Sequence, residues 1–115
     1  MLIKEGGRPV RRLKNVQGGS GEITLHDLAT PETLPKNIRV LSYITLKPGE
    51  SVGEHRHASE AEVYHCIQGE GQVLDGDERI EVSPGDTVVL PSGTLHGLKN
   101  MGLSDLVILA VVVRD

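Results

Sequence analysis

The chain has 115 residues, of which 24% are charged and 37% hydrophobic, and carries a net charge of -4. That describes one globular domain, too short for a catalytic domain plus a regulatory one and too acidic for a dedicated nucleic-acid binder. No stretch approaches the roughly 20 apolar residues of a membrane span, and no signal-like apolar run follows Met1. Cys66 stands alone, so no intrachain disulfide is possible, and a cytoplasmic protein is the expectation.

Phe and Trp are absent, and Tyr43 and Tyr64 are the only tyrosines. The core must therefore come from Val, Ile and Leu, whose branching favours strands. Residues 1–21 read as a solvated N-terminal arm carrying Lys4, Arg8, Arg11, Arg12 and Lys14 and ending in the loop Gly18-Gly19-Ser20-Gly21. Residues 22–115 read as the domain itself.

Strands are predicted at Glu22 to Leu28 and at Ile38 to Leu46, the second ending in the turn Lys47-Pro48-Gly49. Val52 to His57 follows, then a polar corner at Ala58-Ser59-Glu60 and a strand from Glu62 to Gln68. Gln72 to Leu74 and Arg79 to Val82 form a hairpin across Asp75-Gly76. Thr87 to Leu90, Thr94 to Leu98 and Leu106 to Val113 complete the set. The last of these is apolar on both parities, so its outer face should be covered by the N-terminal arm or by a second subunit. Many short strands at regular turn spacing predict an all-β sandwich or barrel of the jelly-roll class.

Two turn-framed stretches carry the chemistry. The first is Gly49-(five residues)-His55-Arg56-His57-(four residues)-Glu62-(six residues)-Gly69. The second is Gly85-(five residues)-Pro91-Ser92-Gly93-(two residues)-His96-(three residues)-Asn100. His55 and His57, two apart, share one face of a strand. Glu62 is expected on the adjacent strand and His96 on a further one, so three neighbouring strands would aim four ligands at one ion. Imidazoles with one carboxylate suit a divalent transition metal such as Mn, Fe, Ni, Zn or Cu. Four protein ligands on an octahedral ion leave open positions, the mark of a working metal rather than a structural one.

Both stretches resemble the two signature motifs of the cupin superfamily, residues 49–69 and 85–100. The segment Pro48-Gly49-Glu50-Ser51-Val52-Gly53-Glu54-His55 resembles small stand-alone bacterial cupins described as oxalate-decarboxylase-like. The resemblance implies a single cupin-type jelly-roll β-barrel with metal ligands His55, His57, Glu62 and His96. It makes Gly49, Gly69, Gly85, Pro91 and Gly93 turn residues and Asn100 a structural one. Oxalate decarboxylases carry two such domains, and this chain has room for one.

Around the ligands, parity places Tyr64, Cys66 and Gln68 inside. Tyr64 is the candidate catalytic residue, as an acid or as a donor to a metal-bound ligand. Cys66 reads as a small buried hydrophobe, His65 should miss the metal, His26 reads as a surface residue, and Glu54 and Arg56 read as solvated charges. The expected function is a small metalloenzyme acting on an oxygen-rich substrate (a carboxylate, diol or sugar acid), with decarboxylase, dioxygenase, isomerase and lyase chemistry all compatible. The alternative is a non-catalytic module that binds or senses a small molecule. The doubly apolar final strand predicts a homodimer.

Overall fold

The computed structural model describes residues 1–115 as ten strands in two antiparallel sheets. Strands β1 (Val10–Lys14), β2 (Glu22–Asp27), β3 (Ile38–Leu46), β10 (Leu106–Arg114), β5 (Glu60–Gln68) and β8 (Thr87–Leu90) form one sheet in that order. Strands β4 (Ser51–His55), β9 (His96–Asn100), β6 (Gly71–Asp75) and β7 (Glu78–Val82) form the other. The two sheets face one another as a single jelly-roll β-barrel, the predicted all-β class.

Alternation builds the core. Along β10 the inward residues Leu106, Ile108, Ala110 and Val112 are buried, whereas Val107, Leu109, Val111 and Val113 are half-buried. Leu106, Ile108 and Ala110 of this row meet Ile44 and Leu46 of β3, Tyr64 and Cys66 of β5, and Val73 and Leu98 of the opposite sheet in one cluster. Each fully buried Leu or Ile contributes about 1.5–3 kcal/mol in area terms, so these rows fix the register: a slip of one residue would turn all of them to solvent.

The hairpin turn and Asn100 behave as their residues require. At the Asp75–Glu78 hairpin Gly76 takes φ +62° at the first central position, a conformation that favours glycine. Asn100 is buried, and its amide donates to the Leu46 and Ser104 carbonyls while its side-chain oxygen accepts from Gly102 N–H. It is the structural residue that the motif implied.

Three details depart from the sequence reading. Val10–Lys14 are exposed, as a solvated segment would be, but they form β1, paired edgewise with β2 (Val10 opposite His26, Lys14 opposite Glu22). The arm therefore extends the sheet edge rather than covering β10, which lies two strands beyond β2. Gln68 does not face inward: a bulge opposite Val107 and Ile108 inserts Ile67 as an extra residue, and Ile67 and Gln68 are both exposed. β4 ends at His55, so His57 sits on the loop after the strand rather than on it.

Candidate metal centre

His55 and His96 are opposite one another in the β4–β9 register, at the last residue of β4 and the first of β9. Their rings lie 4.2 Å apart by centroid, and the His57 ring is 4.9 Å from His55 and 5.1 Å from His96. Glu62 comes from β5 in the facing sheet, so the four groups are drawn from both sheets rather than from three neighbouring strands. One oxygen of Glu62, Oε1, stands 2.9 Å from His96 Nε2 and 3.4 Å from His57 Nε2. One donor atom from each of the four residues lies within 4.8 Å of all the others.

The surroundings orient each imidazole. His55 Nδ1 donates to the Gly53 carbonyl at 2.8 Å and His96 Nδ1 to the Thr94 carbonyl at 3.1 Å. A carbonyl only accepts, so both Nδ1 atoms carry a proton and coordination falls to the Nε2 atoms; that of His96 is hydrogen-bonded to Glu62 Oε1, so the proton between them must leave when a metal binds. His57 Nδ1 stands 3.5 Å from Glu60 Oε1, and Glu60 Oε2 accepts from Arg39 Nε at 2.6 Å. Arg39, Glu60 and His57 thus form a chain leading outward from the centre.

Donor type and spacing fit a divalent transition metal. Bond lengths of about 2.1 Å put adjacent ligand atoms of an octahedral ion about 3 Å apart and opposite ones about 4.2 Å apart, close to the spacing present. Glu62 and His96 are 6% and 2% exposed, so an ion here would be shielded from bulk water on one side. The other side opens into a cavity of about 190 Å³ whose lining includes His55, His57, Glu62, Tyr64, Arg11 and Arg39.

Burial and charge tune the site. Burial pushes the His55 imidazole below its ordinary 6.5, helped by the neighbouring His96 and His57 and only partly offset by the Gly53 carbonyl. For His96 burial acts in the same direction, but the hydrogen bonds to Glu62 and Thr94 and the Glu62 charge outweigh it and raise the value. Tyr64 is raised well above 10 by its burial and then by the Glu62 carboxylate. Its phenol is therefore neutral at physiological pH, a donor and not a base.

The structure brings Tyr64 into the same cavity as the four ligand candidates and edge-on to His96, with ring centroids 6.1 Å apart. Cys66 is 1% exposed and its thiol faces the Gln68 and Gly69 carbonyls, as a buried small residue would. His65 points away and pairs with Thr87 Oγ1. Arg56 is not merely solvated: its Nη1 donates to the Gly93 carbonyl and ties the first motif to the second. The sequence reading passed over Glu60 and Arg39. Glu60 lies three residues after His57, a spacing that makes a second-layer carboxylate worth testing, whereas nothing local marks Arg39.

A cupin-domain family model matches residues 42–112. The chain is a cupin. It is 33% identical over 113 residues to an oxalate-binding protein of Thermotoga maritima, a match covering 98% of this cupin and 93% of that protein. The crystal structure of a predicted oxalate decarboxylase from Thermotoga maritima superposes with TM-score 0.93 at 32% identity, over the full length of both chains. A cupin 2 conserved barrel domain protein from Rhodopseudomonas palustris superposes with TM-score 0.77 at 25% identity, over all of this chain and 81% of that one. Both structures place this cupin in the single-barrel architecture derived above.

Proposed function

We propose that this cupin is a small metalloenzyme that holds one divalent transition metal ion on His55, His57, Glu62 and His96 and acts on a small oxygen-rich acid or diol. The observation that carries the reading is the orientation of the ligands. Backbone carbonyls hold the Nδ1 protons of His55 and His96, which leaves coordination to their Nε2 atoms, and one donor atom from each of the three imidazoles and the buried Glu62 carboxylate lies in one small volume at the base of an open cavity. The bound ion would supply Lewis-acid polarisation of a coordinated oxygen. Tyr64 would hold a proton beside that oxygen, since its burial and the Glu62 charge keep the phenol protonated. The oxalate-binding relative supports a carboxylate ligand.

The second reading is a non-catalytic binding module, favoured by that same relative, whose name states binding and no reaction. Metal-dependent turnover separates the two. Wild-type protein loaded with manganese or iron should consume a carboxylate substrate, and His57→Ala should not. Tight acid binding without turnover would select the binding module.

A cytoplasmic homodimer completes the proposal. No helix is long and apolar enough to cross a membrane. On the outer face of the larger sheet, Val89, Val63, Val111 and Leu41 stand in register across β8, β5, β10 and β3. Val89 is 61% exposed and the nearby Ile67 45%. A continuous apolar row of this kind suits a self-complementary contact.

A further inference from the structure

Two arginines belong to the wall of the metal cavity, and neither lies in a signature motif. Arg11 is on β1, opposite Leu25, and shares its inward parity. Arg39 is the extra residue of a bulge in β3: Val112 pairs with Val40 and Val113 with Ile38, which leaves Arg39 unpaired between them. Regular alternation would have sent Arg39 outward with Leu41 and Tyr43. The bulge re-aims it, and its side chain lines the cavity together with His57 and Glu62.

Both guanidiniums are held in place with donors to spare. Asp27 takes Arg11 Nε and Nη2 at 2.8 and 2.9 Å, and Ser42 Oγ donates to the same carboxylate at 2.5 Å. Glu60 takes only Arg39 Nε. Arg39 Nη1 and Nη2 and Arg11 Nη1 therefore have no partner in the protein. The two arginines also line a second cavity of about 280 Å³ with Asp27, Pro31 and Leu41, so they stand where the two spaces meet. A planar, permanently charged fork whose direction is already fixed is the group best suited to a carboxylate.

We infer that Arg39, assisted by Arg11, is a specificity residue that binds a second anionic group of the ligand. Resting on the metal-bound reading above, this narrows the substrate class to small organic acids with two negative groups. One end would sit on the ion and the other on the arginines at the cavity mouth. Glu60 serves both ends, since its Oε1 faces the ligand histidine and its Oε2 the anion-binding arginine. A neutral sugar or a simple diol would leave the arginine donors unmatched.

The test uses manganese-loaded full-length protein and calorimetric titration, with manganese uptake measured first. The probes are malate and 2-hydroxybutyrate, which share a four-carbon chain and an α-hydroxy acid end and differ in the distal carboxylate. Wild type should bind malate tighter by about tenfold or more, the worth of a charge-assisted pair. Arg39→Gln should collapse that ratio towards one, and Arg11→Gln should reduce it by a smaller factor. Equal affinities in wild type, or a malate preference that survives both variants, would overturn the inference. A protein that takes up manganese and 2-hydroxybutyrate yet shows no malate preference leaves the metal reading standing and removes only the arginines' role. A protein that takes up neither manganese nor any other divalent transition metal from iron to zinc ends both. Glu60→Gln is the control for an indirect effect: if it abolishes the preference while Arg39→Gln does not, the anion site is not Arg39.

Discussion

At the scale of single residues, the atom that each side chain turns to its neighbours decides what the site can do. The grouping of His55, His57, Glu62 and His96 was legible in the sequence because donor type and motif spacing are local properties. Glu60 was not, because its meaning depends on Arg39, 21 positions away and brought near only by the barrel. Its position behind His57 predicts that Glu60→Gln weakens metal binding by about 10–100-fold while the fold persists; competition against a chelator of known affinity measures this. Tyr64→Phe should lower turnover on any substrate by about 10²-fold or more if the phenol is the proton donor, with metal content unchanged. Protons also compete for the site. Because Glu62 and Thr94 raise the His96 imidazole above 6.5, the proton must be displaced from His96 when metal binds. Metal affinity should therefore start to fall above pH 6.5 as the solution is acidified, and a flat affinity from pH 8 to 6 would contradict that assignment.

At the scale of elements, strands were legible wherever alternation is regular. The predicted bounds of Ile38–Leu46 and Thr87–Leu90 are those observed. Two of the misses share one physical cause. A bulge adds a residue without a compositional mark, so Gln68 lost its inward parity and Arg39 acquired one. β1 was read as an arm because Arg11, Arg12 and Lys14 look like solvated charge. The Arg11–Asp27 pair, a long-range contact, adds to the backbone ladder at its start. Burial pushes the Asp27 carboxyl up, but the bonds from Arg11 and Ser42 outweigh it and leave it below 3.8. A depressed carboxyl stabilises the fold above its unfolded value near 3.8 and loses that contribution as pH falls through the lower folded value. Asp27→Asn should therefore destabilise by at most about 1 kcal/mol at pH 7, since solvent screens half-exposed Arg11. The gap between wild type and variant in thermal melts should narrow as the pH falls below 3.8.

At the scale of the whole molecule, the same ten strands give two faces with different tasks. The inner face packs Leu46, Leu106 and Ile108 beneath the ligands, and Ile108→Ala should cost about 2–5 kcal/mol in denaturant unfolding, by opening a cavity in the core. The outer face carries the Val89–Val63–Val111–Leu41 row. Sizing with light scattering should give a dimer for wild type and a monomer for Val111→Glu; a wild-type monomer at micromolar concentration would remove the homodimer. Everything proposed about function depends on the convergence of three imidazoles and a carboxylate. Elemental analysis of protein purified without chelator or a metal-affinity tag tests that most directly, with a Glu62→Gln, His96→Ala variant alongside. The account predicts close to one divalent transition metal ion per chain in wild type and almost none in the variant; wild type and variant with the same metal content would contradict it.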